Sequence, residues 1–101
     1  MTKLSVIIIT FNEERNIGRC LQSVKEIADE IIVVDSFSTD ETQNICEQFG
    51  AKFISEKWRG YSAQKNFANS LASNNWILSI DADEAISEEL KNSIKKWKSQ
   101  G

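Results

Sequence analysis

The sequence predicts an α/β fold: one parallel sheet in the strand order 3-2-1-4, with helices on both faces. Three observations lead there. Strand-like and helix-like patterns alternate as β-α-β-α-β-α-β-α, the order that parallel sheets with right-handed crossovers produce. The first two strand segments, Leu4 to Ile9 and Glu30 to Asp35, are almost unbroken runs of β-branched apolar residues. Strands read this way when both faces of their sheet are covered. The first, second and fourth strands each give way to a polar turn with a helix-start signal, and open sheets of this kind bind ligands at those carboxyl ends.

The elements follow in order. The first strand breaks at Thr10-Phe11-Asn12, where Asn12 is placed to cap a helix and Glu13 and Glu14 complement the positive end of its dipole. Ile17, Cys20, Leu21 and Val24 then recur at helical spacing and form one core face. After the second strand, Ser38 and Glu41 have capping-box spacing, and the helix they open carries Ile45, Cys46 and Phe49 inward before stopping at Gly50. Ala51 to Ser55 is a short third strand. Glu56 to Gly60 is a loop holding Trp58 and Arg59. The segment from Tyr61 to about Ala72 is a helix with an inner face of Ala63, Phe67, Ala68 and Leu71. Trp76 to Ile80 is read as a buried fourth strand. Ser87 caps a last helix with an inner stripe of Leu90, Ile94 and Trp97, acids at its start and lysines towards its end.

Composition narrows the function. A chain of 101 residues suits one small domain, and 41% apolar with 27% charged residues is ordinary for a globular protein. The net charge of −3 gives no support for nucleic acid or an anionic membrane surface as a partner. With no histidine, Ser-His-Asp and Cys-His centres and a histidine-ligated zinc are excluded. The two cysteines lie on apolar helix faces, which fits reduced core residues and a cytoplasmic location. The apolar run from Val6 to Ile9 is too short to span a membrane and lacks signal-peptide form.

With strands 1 and 4 flanking the switch point, three loops converge on one rim: Thr10-Phe11-Asn12-Glu13, Asp35-Ser36 and Asp81-Ala82-Asp83. No Gly-x-Gly-x-x-Gly or Gly-x-x-x-x-Gly-Lys-Ser/Thr loop is present, so a bound pyrophosphate would need a metal to neutralise it. Asp81 and Asp83 can anchor it, as hard oxygen ligands suited to Mg²⁺ or Mn²⁺, or form a plain solvated acidic loop after a strand. Asp35 can accept from a base or ribose, or serve as a plain turn acid. Phe11 can stack on a base, or close the core at a strand end. Lys65, in Gln64-Lys65-Asn66, can reach a phosphate near a helix start, or remain a solvated lysine. Trp58 and Arg59 can close over a ligand, or simply pack their loop.

The stretches Ser5-Val-Ile-Ile-Ile-Thr-Phe-Asn-Glu-Glu-Arg-Asn-Ile, Ile32-Val-Val-Asp-Ser-Phe-Ser-Thr-Asp-Glu-Thr and Leu78-Ser-Ile-Asp-Ala-Asp-Glu resemble the inverting family 2 glycosyltransferases of the GT-A fold. The Ala63-Gln-Lys-Asn-Phe-Ala segment together with Asp-Ala-Asp-Glu is most similar to the subgroup with lipopolysaccharide-core and lipooligosaccharide β-1,4-glucosyltransferases. The resemblance implies a Rossmann-like nucleotide-binding half, a UDP-sugar donor and a divalent metal. It places Thr10, Phe11, Asn12 and Glu13 along the nucleotide pocket and Asp35 on the base. It puts Asp81 towards the ribose and the metal, Asp83 on the metal, Ala82 in the nucleotide-sugar site and Lys65 near the nucleotide. It also implies a glycan or glycolipid acceptor, with peripheral membrane association of the parent enzyme. Such enzymes continue into an acceptor-binding half that carries the catalytic base. Residues 1–101 are therefore expected to be the donor portion, inactive alone and able to self-associate through apolar surface left uncovered.

Two rivals remain at the level of sequence. Asp-Ala-Asp-Glu-Ala also resembles the acidic motif of topoisomerase–primase domains, although the turn after the first strand lacks their glycines and the net charge opposes a DNA surface. A non-catalytic nucleotide-binding module is the other.

Overall fold

The computed structural model describes residues 2–100. Its elements are β1 (Leu4–Thr10), α1 (Ile17–Val24), β2 (Glu30–Asp35), α2 (Thr42–Gln48), β3 (Lys52–Ser55), α3 (Tyr61–Leu71), β4 (Trp76–Ser79) and α4 (Glu88–Gln100). The sheet runs β3-β2-β1-β4, and every pairing is parallel. The predicted order and the predicted parallel sheet both hold.

Alternation along β1 sets the two layers. Leu4, Val6 and Ile8 face a core built with Ile17, Cys20, Leu21 and Val24 of α1 and Cys46 of α2, and Ile94 of α4 packs against it. Ile7, on the opposite face, meets Ile32, Val34 and Ala68 of α3. Three helices thus cover one face and α3 the other, which is why Val6 to Ile9 of β1 and Ile31 to Val34 of β2 are entirely apolar. Both cysteines are free and buried in the first layer. Gly50 ends α2 with φ +75°, the left-handed conformation its position calls for. No helix among the described residues is long and apolar enough to cross a membrane.

The departures from expectation share a cause. Helix α1 starts at Ile17 instead of just after Asn12, because Asn12 is used across the loops. Its N–H donates to Ser38 Oγ at 2.7 Å, and its Oδ1 accepts from Thr39 N at 2.9 Å. Glu13 and Glu14 therefore lie outside the first turn of that helix. Ser38 is no cap for α2, since its Oγ accepts from Asn12 N instead and its hydroxyl donates to Asp35 Oδ1 at 2.6 Å. Asp40 Oδ1 takes over by accepting from Thr42 N at 3.0 Å and Thr42 Oγ1 at 2.6 Å. On α3, Ala63 is exposed, and Gln64 is buried along with Ala68.

Strand β4 is an edge strand, not a buried one. It ends at Ser79, and its Trp76 and Ile77 are exposed. Leu90 of α4 is likewise exposed. Trp97 meets Trp76 edge to face at 5.2 Å, and Ile86 and Ile94 make the contacts with the core.

Candidate functional site

The carboxyl ends of β1, β2 and β4 form one rim. Thr10 and Asp35 are register partners, and Thr10 Oγ1 donates to Asp35 Oδ1 at 2.6 Å. Asp35 is buried and also accepts from Ser38 N at 2.7 Å and Ser38 Oγ at 2.6 Å. Its carboxylate thereby ties the end of β1 to the loop after β2. Ser36 joins the same junction through its N–H to the Thr10 carbonyl at 3.0 Å. Glu13 N donates to Thr42 Oγ1 at 2.9 Å, and its carboxylate accepts from Asn16 Nδ2 at 3.2 Å. Asn12 is held in the positive-φ region at +51° by the two bonds to the Ser38–Thr39 turn.

The acidic turn is fixed at one aspartate and free at the other. Asp81 N donates to Glu84 Oε1 at 3.1 Å, and the Asp81 carbonyl accepts from Glu84 N at 2.9 Å. From below, Cys20 Sγ donates to the same carbonyl at 3.6 Å. Tyr61 Oη donates to Asp81 Oδ1 at 2.5 Å. Ala82 is buried and seats the turn on the core. Asp83 is exposed, and its carboxylate makes no hydrogen bond among the described residues. Burial, with the negative charges of Glu84, Asp81 and Asp83 adding to it, pushes the Cys20 thiol up to about 12. That thiol is no nucleophile. The hydrogen bond to Asp81 raises the Tyr61 phenol above its ordinary value.

Two adjoining clefts open here. One, of about 280 Å³, is lined by Thr10, Phe11, Glu13, Trp58, Tyr61 and the residues Asp81, Ala82 and Asp83. The other, of about 440 Å³, is lined by Phe11, Ser36 and Trp58. Phe11 and Trp58 belong to both, so the acidic end runs into an aromatic end. Of the residues singled out by sequence, Thr10, Phe11, Glu13, Ser36, Trp58, Asp81, Ala82 and Asp83 line this space. Asn12 and Asp35 support its walls through the bonds described. Lys65 is not a lining residue; its Nζ lies 4.7 Å from the centre of the Tyr61 ring.

Tyr61 and Gln64 were missed by sequence reasoning. Gln64 is fully buried, and its Nε2 donates to Ser36 Oγ at 3.3 Å. The four-residue step from Tyr61 to Lys65 was a readable helix-face signal, whereas the reach of Tyr61 to Asp81 leaves no trace in sequence.

The donor set fits a divalent cation. No group of three or more His, Cys, Asp or Glu able to hold a metal exists among the described residues. Two carboxylates with a diphosphate and water are nevertheless the usual company of Mg²⁺. Among the described residues, Asp83 and the second oxygen of Asp81 have no hydrogen-bond partner.

A β3-β2-β1-β4 parallel sheet covered on both faces, with an Asp-x-Asp turn beside the end of β1, defines the GT-A glycosyltransferase class. The chain belongs to glycosyl transferase family 2, whose model matches residues 5–100. It is 57% identical over 95 residues to an uncharacterized glycosyltransferase of Rickettsia felis, which covers 94% of this chain and 34% of that one. It is 41% identical over 93 residues to the lipopolysaccharide core biosynthesis glycosyltransferase LpsC of Rhizobium meliloti, covering 87% of this chain and 34% of LpsC. The structure of S. aureus TarS in complex with UDP superposes with a TM-score of 0.71 at 30% identity, over 93% of this chain and 31% of that one. The chain thus spans about a third of the length of the curated relatives it matches. The family match over residues 5–100 favours the glycosyltransferase reading of the chain over the topoisomerase–primase one.

Proposed function

We propose that residues 1–101 are the donor-binding part of an enzyme that transfers a sugar from a UDP-sugar to an acceptor hydroxyl with inversion, in the synthesis of cell-envelope glycans or lipopolysaccharide. The observation that carries this reading is the two-ended cleft. Phe11 and Trp58 give an apolar wall on which a base can stack, and Asp81 and Asp83 stand where a metal-bound diphosphate would follow. The UDP bound to TarS and the name of LpsC support the donor and the pathway class.

The residues of this chain hold and orient. Asp83 and Asp81 would hold Mg²⁺ or Mn²⁺, which neutralises the charge that develops on a departing nucleoside diphosphate. The junction of Thr10, Asp35 and Ser38 keeps the base end rigid. Lys65 and the start of α3 add positive potential on the phosphate side. The acceptor site and the catalytic base are assigned to chain beyond this portion, in keeping with the greater length of the relatives.

Titration with UDP in the presence of Mn²⁺, followed by amide chemical shifts, tests the proposal. Shifts at Thr10, Phe11, Ser36 and Ala82 are expected, with Mn²⁺-induced broadening centred on Asp83 and weaker binding in EDTA. Silence at these positions would sink the donor-site reading, and a response to Mn²⁺ without UDP selectivity would leave a metal site only.

A further inference from the structure

On the donor-site reading, we infer that Tyr61 is a positioning residue that sets Asp81 and Lys65 together for the diphosphate. The argument starts from what holds Asp81. Its N–H and C=O are both taken by Glu84, so the backbone is fixed and only the rotation of the carboxyl group remains open. Tyr61 Oη removes that freedom with its 2.5 Å bond to Asp81 Oδ1. The other oxygen is left for a ligand. Asp83, two residues on, has no such anchor. One acid is therefore preset and the other adaptable.

The same ring serves the cation. Lys65 Nζ lies 4.7 Å from the Tyr61 centroid, within the range where an ammonium is attracted to the face of an aromatic ring. Lys65 follows Tyr61 by one helical turn, so α3 presents both on one side. Tyr61 lines the acidic cleft directly, and Gly60 before it, with φ +101°, sets the angle at which the helix enters. One side chain thus joins the acid and the base that a metal–diphosphate requires on opposite sides.

Five proteins decide it: the wild type, Y61F, Y61L, D81A and the double variant of D81A with Y61F. The readouts are binding of Mn²⁺–UDP by calorimetry, binding of uridine by amide shifts, and the thermal midpoint. Y61F is expected to weaken Mn²⁺–UDP by about threefold to tenfold, the cost of ordering one freed side chain, with uridine binding and the midpoint unchanged. Y61L is expected to weaken it further and to abolish the upfield ring-current shift of the Lys65 methylene protons that Y61F retains. In a D81A background, which leaves Tyr61 Oη no acceptor at this position, Y61F is expected to add nothing, since the two changes remove the same bond. Undiminished binding of Mn²⁺–UDP by Y61F would overturn the role of Tyr61 alone. So would an equal loss of uridine, which marks a general structural effect. Failure of the wild type to bind Mn²⁺–UDP would overturn the donor-site reading and the role of Tyr61 with it.

Discussion

Thr10 Oγ1 and Ser38 Oγ both donate to Asp35 in a place closed to solvent, while Asp83 stands in water without a partner. Two aspartates at strand ends therefore answer to different measurements. T10V leaves a buried carboxylate short of one donor and is expected to cost about 2 kcal/mol in urea unfolding, the usual scale for a hydrogen bond to a charged group. D83N removes a charge that touches nothing, so the unfolding midpoint is expected to stay within the scatter of surface substitutions. The Mn²⁺-dependent part of UDP binding is expected to disappear in D83N, as calorimetry with and without EDTA would register. Unfolding that shifted as much in D83N as in T10V would contradict this division.

At the scale of elements, two glycines separate folding from function. Gly50 ends α2 at φ +75° and Gly60 precedes α3 at φ +101°, and an added Cβ meets nothing within 4 Å at either. The cost of alanine is thus conformational, about 1–2 kcal/mol at each. Both G50A and G60A are expected to lower the thermal midpoint, but only G60A, which re-aims Tyr61, is expected to weaken Mn²⁺–UDP. The same contrast shows what the sequence made legible. Strands β1 and β2 and the inner face of α1 were readable because burial on both sides imposes apolar runs and a helical period. The caps at Asn12 and Ser38 were misread because each spends its polar groups on the other's loop, 26 residues away for Asn12 N to Ser38 Oγ, and no local pattern records that. Trp76 and Ile77 looked like core because an apolar run does not say which side of a sheet is open. The acidic pair was visible at once. Its partner Tyr61 was not, since a contact across 20 residues between a helix start and a turn has no periodicity.

For the molecule as a whole, the carboxylate held furthest below its ordinary value lies at the end of the sheet away from the cleft. Glu30 of β2 accepts from Ser5 Oγ, Ser73 N, Ser73 Oγ and Lys52 Nζ, which links β1, β3 and the turn before β4. Burial alone would raise its carboxyl, but the Lys52 ammonium and the serine donors outweigh that and hold it at about 2, against an ordinary 4.5. The folded value lies below the unfolded one. The stability from Glu30 is therefore fully present above about pH 4.5 and is lost as the pH falls towards 2. Wild-type urea midpoints are expected to fall more steeply across that window than those of E30Q, with the two curves parallel from pH 5 to 7. Asp29, lowered by its bonds to Lys98 and Leu4 N, contributes in the same direction and pins α4 to the same end.

The two sealed thiols have a practical consequence. Cys20 and Cys46 are fully buried, both are pushed up to about 12, and the chain contains no other cysteine. An alkylating reagent can reach them only when the core opens, so the rate of labelling is a clock for that opening. Cys20 lies directly beneath the Asp81 carbonyl. A ligand gripping the acidic turn should therefore slow the clock by the factor its own affinity dictates, and mass spectrometry could read nucleotide occupancy from a sulfur atom that never touches the nucleotide.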